Sequence, residues 1–258
     1  GIMISSPAGN DLMWDPSGND QGRFFINKMW NALKLIKMWE GRQSTIDSPQ
    51  FAEDNFAVKW FENRLCEVRI QLDEQFKDFR LSEALKTIYS LIWDDFCSWY
   101  LEWVKPGFEQ PIDKDVYEKT VSFFEDLMQL LHPFLPFVTE DIYHQLRQRE
   151  TGDDICIKQT KVNSQWSIDI LQLGQLLKED ISAIRDNKKK NSIKNSENIK
   201  FMGTAHANSI YAGNIDLRII LEKQTNCTYY IPNQEQSEEL SKNEITVISG
   251  NRTFLLFP

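Results

Sequence analysis

Arg23, Asn27, Asn31 and Lys34 recur at steps of four, four and three residues, which sets two amides and two cations on one face of a helix. A carboxamide donates and accepts hydrogen bonds at once, so it can pair with the edge of a nucleic-acid base. A guanidinium or ammonium group meets phosphate or base acceptors, and Phe24 beside them offers a ring for stacking. Lys28 adds a third cation within reach of that face. Asn is a poor helix former because its amide competes for nearby backbone groups, so two of them inside a periodic helix cost stability. The same face also reads as a solvated one with helix–helix hydrogen bonds. The opposite side carries Ile26, Met29, Leu33 and Ile36 and seeks a core, to which Trp30 could also belong.

Other residues offer less chemistry. Asp94-Asp95 is a carboxylate pair of the kind used for metal binding or acid–base work. Adjacent helical residues point about 100° apart, so the two rarely serve one centre. His132 stands before Pro133 at a helix end, where a capping role fits, and His144 and His206 have no Cys or Asp partner at useful spacing. No GxxxxGK[ST] or GxGxxG phosphate loop occurs, and Ser5 and Ser6 are in no nucleophile elbow. Cys66, Cys97, Cys156 and Cys227 form no CxxC and have no histidine at ligand spacing. They read as buried, reduced thiols of a cytoplasmic protein. No catalytic constellation and no metal site emerge. The segment from Lys178 to Lys200 holds seven cations against four anions. Lys188, Lys189 and Lys190 are either a solvated helix end or a phosphate contact, which positions a nucleic acid without reading it.

The elements that must position these residues are mainly helical. A capping-box-like start at Ser17 and Asp20 predicts a first helix to about Glu40, followed by a Ser/Thr/Gly/Pro loop over residues 41–49. Apolar spacing predicts a second helix over about 50–76 and a third of about 22 residues capped by Ser82 and stopped by Lys105-Pro106-Gly107. A fourth helix runs from Asp113 to His132, and Thr139 caps a short fifth one ending near Gln148. After Thr151 a helix over 169–187 precedes short β-prone pieces at 199–202, 215–221, 228–231, 245–248 and 253–257. The fold class is mainly α: an up-and-down helical bundle followed by a small α+β domain. The expected division is 1–16 as the end of a preceding stem, 17–150 as the bundle and 151–258 as the α+β domain.

The 258 residues are 41% hydrophobic, enough for a sizeable core, and carry a net charge of −9 with a pI near 5.0. A uniformly basic, phosphate-binding surface is excluded, so any nucleic-acid site is a local patch on an acidic body. No apolar run approaches the roughly 20 residues that span a bilayer. The apolar opening Gly1-Ile2-Met3-Ile4 reads as the tail of an element that begins outside the chain, hence as a fragment of a longer protein.

Three stretches carry a resemblance. Ser5-Ser6-Pro7-Ala8-Gly9-Asn10-Asp11-Leu12 and then Gly22-Arg23 through Asn27-Lys28-Met29-Trp30-Asn31-Ala32 resemble valyl-tRNA synthetases just after their catalytic region. The run from Phe79 to Leu85 and the run Trp93-Asp94-Asp95-Phe96-Cys97-Ser98-Trp99-Tyr100-Leu101-Glu102 resemble the middle of the family's anticodon-binding bundle. Leu130-Leu131-His132-Pro133-Phe134-Leu135-Pro136-Phe137-Val138-Thr139-Glu140 is similar to its Pro-broken helix. Isoleucyl and leucyl synthetases share parts of this bundle.

The resemblance implies a class I aminoacyl-tRNA synthetase fragment whose monomeric parent joins valine to its tRNA with ATP and Mg²⁺. The signatures His-Ile-Gly-His and Lys-Met-Ser-Lys-Ser and the editing insertion are not in this sequence, so the fragment should need no cofactor and be inactive alone. The heptads of the family's C-terminal coiled coil are absent too. Recognition of a valine-specific tRNA would fall to Arg23, Phe24, Asn27, Lys28 and Asn31 at the anticodon and to Lys188–Lys190 at backbone phosphate. A helical scaffold that binds protein, and a helical enzyme using Asp94 and Asp95, are the rival readings.

Overall fold

The computed structural model describes residues 16–43, 55–158, 166–203, 205–230 and 244–257. The motif at Ser5–Leu12 lies outside them. The chain divides into two compact units, residues 1–168 and 169–258. The change of unit comes later than the change of composition near residue 150. Ile155 is buried, Gln129 Nε2 donates to the Lys158 carbonyl, and the Ser167 N–H donates to Asn63 Oδ1, so this segment folds with the helices before it.

In the first unit α1 (Pro16–Glu40), α2 (Phe56–Lys77) and α3 (Leu81–Ser90) are followed without a break by a π-helix (Leu91–Tyr100) and α4 (Leu101–Val104). α5 (Lys114–Leu131) and α6 (Pro136–Leu146) then lead to a 3₁₀ turn (Ile155–Ile157). α2 starts later than its apolar spacing suggests, because Asn55 caps it by accepting the Val58 N–H at 3.2 Å. Asp113 caps α5, its Oδ1 accepting the N–H groups of Asp115 and Val116 at 2.9 and 3.0 Å. Two expected caps fail. α3 begins one residue before Ser82, and Arg80 holds the cap position without a side-chain bond. Thr139 lies inside α6, which Pro136 opens, and its hydroxyl donates back to the Leu135 carbonyl at 2.9 Å.

Phe61 of α2 centres the core of this unit. Its ring lies 5.2, 5.0 and 5.1 Å from those of Phe96, Tyr100 and Phe123, drawn from the π-helix and α5. Each fully buried ring of this kind stabilises by about 1.5–3 kcal/mol before entropy is subtracted. α1 joins the core through Phe25, Met29, Leu33, Ile36 and Trp39, all buried. The buried stripe is thus rotated by a residue at its start, with Phe25 inward where Ile26 was expected.

In the second unit α7 (Ile168–Lys190) is followed by β1 (Ile199–Gly203), α8 (Ala205–Gly213), α9 (Ile215–Thr225), β2 (Cys227–Tyr229), β3 (Ile245–Ser249) and β4 (Arg252–Phe257). The sheet order is β2-β1-β4-β3, with β1 and β2 parallel and the other pairs antiparallel. The β-prone run 215–221 is a helix. Leu217, Ile220 and Leu221 are buried at helical spacing, Ile215 and Ile219 face out, and Asn226 ends it in a left-handed turn with φ 49°. A buried network pins β4 to α7: Arg252 Nε donates to Asp180 Oδ1 at 2.8 Å, and the Tyr211 hydroxyl donates to Asp180 Oδ2 at 2.6 Å. Burial pushes the Asp180 carboxyl above its ordinary value, against these bonds.

Candidate nucleic-acid interface

α1 and the π-helix enclose an open groove of about 530 Å³, lined from α1 by Phe24, Asn27, Lys28, Asn31, Ala32 and Leu35 and from the other wall by Trp93, Cys97 and Leu101. Four of the five residues singled out on α1 therefore border one groove. Arg23 is not among its lining residues, yet its guanidinium lies 5.4 Å from the Phe24 ring centre and pairs with Asp20 at 3.1 Å. Asn27 and Asn31 are exposed, and Phe24 keeps 54% of its surface in solvent. An exposed ring beside a cation and two amides can stack on one base and bond the edge of another.

Lys28 is more constrained than its type suggests. Its Nζ donates to Ser98 Oγ at 2.9 Å and lies 4.1 Å from the Trp93 ring centre. The Ser98 hydroxyl in turn donates to the Trp93 carbonyl at 2.8 Å. That carbonyl lies five residues back, where the wide π turn leaves room for a side-chain donor. Tyr89 stacks on Trp93 at 5.7 Å with the rings 8° apart, and Phe25 supports both. The groove wall is thus an aromatic stack with an ammonium over its edge. Burial pushes the Cys97 thiol up to about 12, although Lys28 pulls it down, so this groove cysteine is un-ionised at neutral pH.

Trp93 is the groove residue that spacing on α1 could not reveal. Its signals in the sequence were its place beside Asp94-Asp95 and at the head of the run Trp93–Glu102. Those carboxylates diverge: buried Asp95 accepts from Arg64 Nε at 2.8 Å, and exposed Asp94 accepts from the Ser90 hydroxyl at 2.9 Å.

The three lysines that end α7 separate. Lys188 is fully buried, and its Nζ donates to the carbonyls of Glu197 at 2.7 Å and Thr225 at 3.0 Å. It cannot meet phosphate, because an ammonium without water is held only by such acceptors. Lys189 and Lys190 are exposed, as are Lys194 and Lys200.

Two histidines also have partners. His132 Nδ1 lies 2.8 Å from the Thr139 hydroxyl. His144, expected to have none, has Nε2 3.1 Å from Glu140 Oε1 and 3.4 Å from Asp154 Oδ1. Folding brings Asp154 to it from ten residues away.

The architecture defines a helical-bundle domain with a small α+β appendage, and comparison with known families refines this. The family described as anticodon-binding domain of tRNA ligase matches residues 58–202, more than half of the chain, and the chain belongs to that family. A valine–tRNA ligase of Porphyromonas gingivalis is 44% identical over 201 residues, covering 78% of this chain and 22% of the relative. The Bacteroides fragilis valine–tRNA ligase is 44% identical over 185 residues, covering 72% and 21%. That of Symbiobacterium thermophilum is 31% identical over 161 residues, covering 60% and 18%. The chain spans about a fifth of the length of these curated relatives. No helix among the described residues is long and apolar enough to cross a membrane.

Proposed function

We propose that this chain is the tRNA-recognition part of a valine–tRNA ligase, reading anticodon bases in the groove between α1 and the π-helix. The observation that carries it is the convergence of Phe24, Asn27, Lys28 and Asn31 on one groove of a chain in the anticodon-binding family. Anticodon bases are unpaired, so they can be splayed out, stacked and hydrogen-bonded at their edges. Phe24 stacks, Asn27 and Asn31 read edges, and Arg23 and Lys28 meet phosphate or base acceptors. Lys189 and Lys190 hold backbone phosphate; Lys188 is removed from that role by its burial.

In this reading residues 1–16 link the bundle to a catalytic body that supplies ATP and Mg²⁺ chemistry in a monomeric, cytoplasmic parent. The bundle itself contributes recognition and no bond-making step.

The test is binding of this chain to a valine tRNA and to the same tRNA with altered anticodon bases. Tighter binding of the first is expected, with affinity falling steeply as salt rises. Equal binding of the two would remove the reading.

A further inference from the structure

Glu140 and His144 stand four residues apart on one face of α6, and Asp154 faces them from the segment that follows. We propose that these three side chains form a binding site for a divalent transition-metal ion, with Zn²⁺ as the occupant their donors suit. It would tie the segment after α6 to the bundle.

The donor atoms Glu140 Oε1, His144 Nε2 and Asp154 Oδ1 all lie within 4.8 Å of one another. The imidazole nitrogen is 3.1 and 3.4 Å from the two oxygens. Zinc binds imidazole nitrogen and carboxylate oxygen at about 2.0–2.2 Å, so neighbouring donors on one tetrahedral ion sit roughly 3.4 Å apart. The ion therefore fits with small side-chain adjustments.

The surroundings hold the donors in place, as the partners of metal ligands do. Asp154 occupies the cap position of the 3₁₀ turn but makes no side-chain cap bond there. Glu140 Oε1 accepts the Ile155 N–H at 2.9 Å in its stead, which leaves the Asp154 carboxylate turned to His144. The Tyr143 ring stands edge-on to His144, and the Tyr143 hydroxyl donates to Asp153 Oδ1 at 3.0 Å. Behind Glu140, His132 Nδ1 lies 3.9 Å from Oε2. All three donors touch solvent, so water can complete the coordination.

The donor set also decides the class of ion. One imidazole with two carboxylates suits Zn²⁺ and its first-row neighbours, whereas Ca²⁺ and Mg²⁺ favour oxygen alone.

The test is calorimetric titration of the untagged, EDTA-stripped chain with Zn²⁺ at neutral pH, supported by the visible spectrum of the Co²⁺ form. One saturable equivalent is expected, with a rise in Tm that Mg²⁺ does not reproduce. His144→Ala and the near-isosteric Glu140→Gln and Asp154→Asn should each weaken binding at least tenfold while the metal-free Tm stays near that of the parent chain. Cys156→Ser is the control, because this exposed thiol lies two residues from Asp154. It should leave binding unchanged. Absence of a saturable equivalent, unaltered binding in His144→Ala, or loss of binding in Cys156→Ser would each overturn the site and leave a His–carboxylate hydrogen bond.

Discussion

Adjacent lysines in this chain have opposite fates, which shows how little residue type alone decides. Lys188 is enclosed and held by two carbonyls, while Lys189 and Lys190 stand in water. Lys188→Met leaves both acceptors unsatisfied, and each costs about 1–3 kcal/mol. The expected result is a loss of about 3 kcal/mol in urea denaturation of the second unit. Lys189→Met and Lys190→Met should leave stability unchanged and lower the salt slope of RNA binding by about 0.7 each. The amides of α1 are the complementary case. Asn27 and Asn31 are exposed, so the double Ala variant should keep its Tm and lose about 1–2 kcal/mol of discrimination between anticodons in a filter-binding assay. Unfolding of that variant would make the amides structural. At Cys97 a thiol raised to about 12 should react with iodoacetamide at pH 8 far more slowly than exposed Cys156, as peptide mapping would show.

Whole elements decide which of these side chains meet. α1 offers a polar face, but the π-helix makes it a groove. Trp93 and Cys97 of the π-helix and Leu101 of α4 recur every fourth residue and line one wall. The long helices place that wall and depend on their ends. Asp113 satisfies two backbone donors at the start of α5, so Asp113→Ala should destabilise the first unit by about 1 kcal/mol in chemical denaturation and leave RNA selectivity unaltered. The elements also mark where local reading stops. Asn55 and Asp113 cap because their extended backbone aims the side-chain oxygen at the free N–H groups of the first turn. Ser82 and Thr139 have the same composition signal but already sit within helices, where Thr139 bonds backwards.

The molecule as a whole sets the response to pH. Tyr117 and Tyr143 are almost wholly buried, and burial pushes each phenol from 10 up to about 12, with Glu40 and Glu118 adding to Tyr117 and the Asp153 bond to Tyr143. The folded state therefore keeps these protons more tightly than the unfolded one. Their stabilisation is complete below about pH 10 and is lost as pH rises through 12, by about 2–3 kcal/mol for each residue. Alkaline titration should show tyrosinate absorbance at 295 nm rising together with loss of helical circular dichroism near pH 12. A titration with these two residues ionising near pH 10 in folded protein would contradict their burial. Net charge acts at the same scale: with a net charge of −9 the body as a whole repels phosphate, so any nucleic-acid contact is confined to a local patch.

The sequence by itself determined the long helices, the change to an α+β unit, and the polar face of α1. These depend on periodicity and on residues near one another in the chain. Four of the five α1 residues that it marked border the groove, because one helix fixes which of its own side chains share a face. Only the tertiary structure decided what stands opposite. Trp93, the burial of Lys188, the helix at 215–225 and the approach of Asp154 to His144 all depend on partners distant in sequence. Local propensity is worth tenths of a kcal/mol per residue, while burying a ring gains about 1.5–3 kcal/mol and burying an ammonium without acceptors costs more than that, so packing overrules pattern wherever the two disagree.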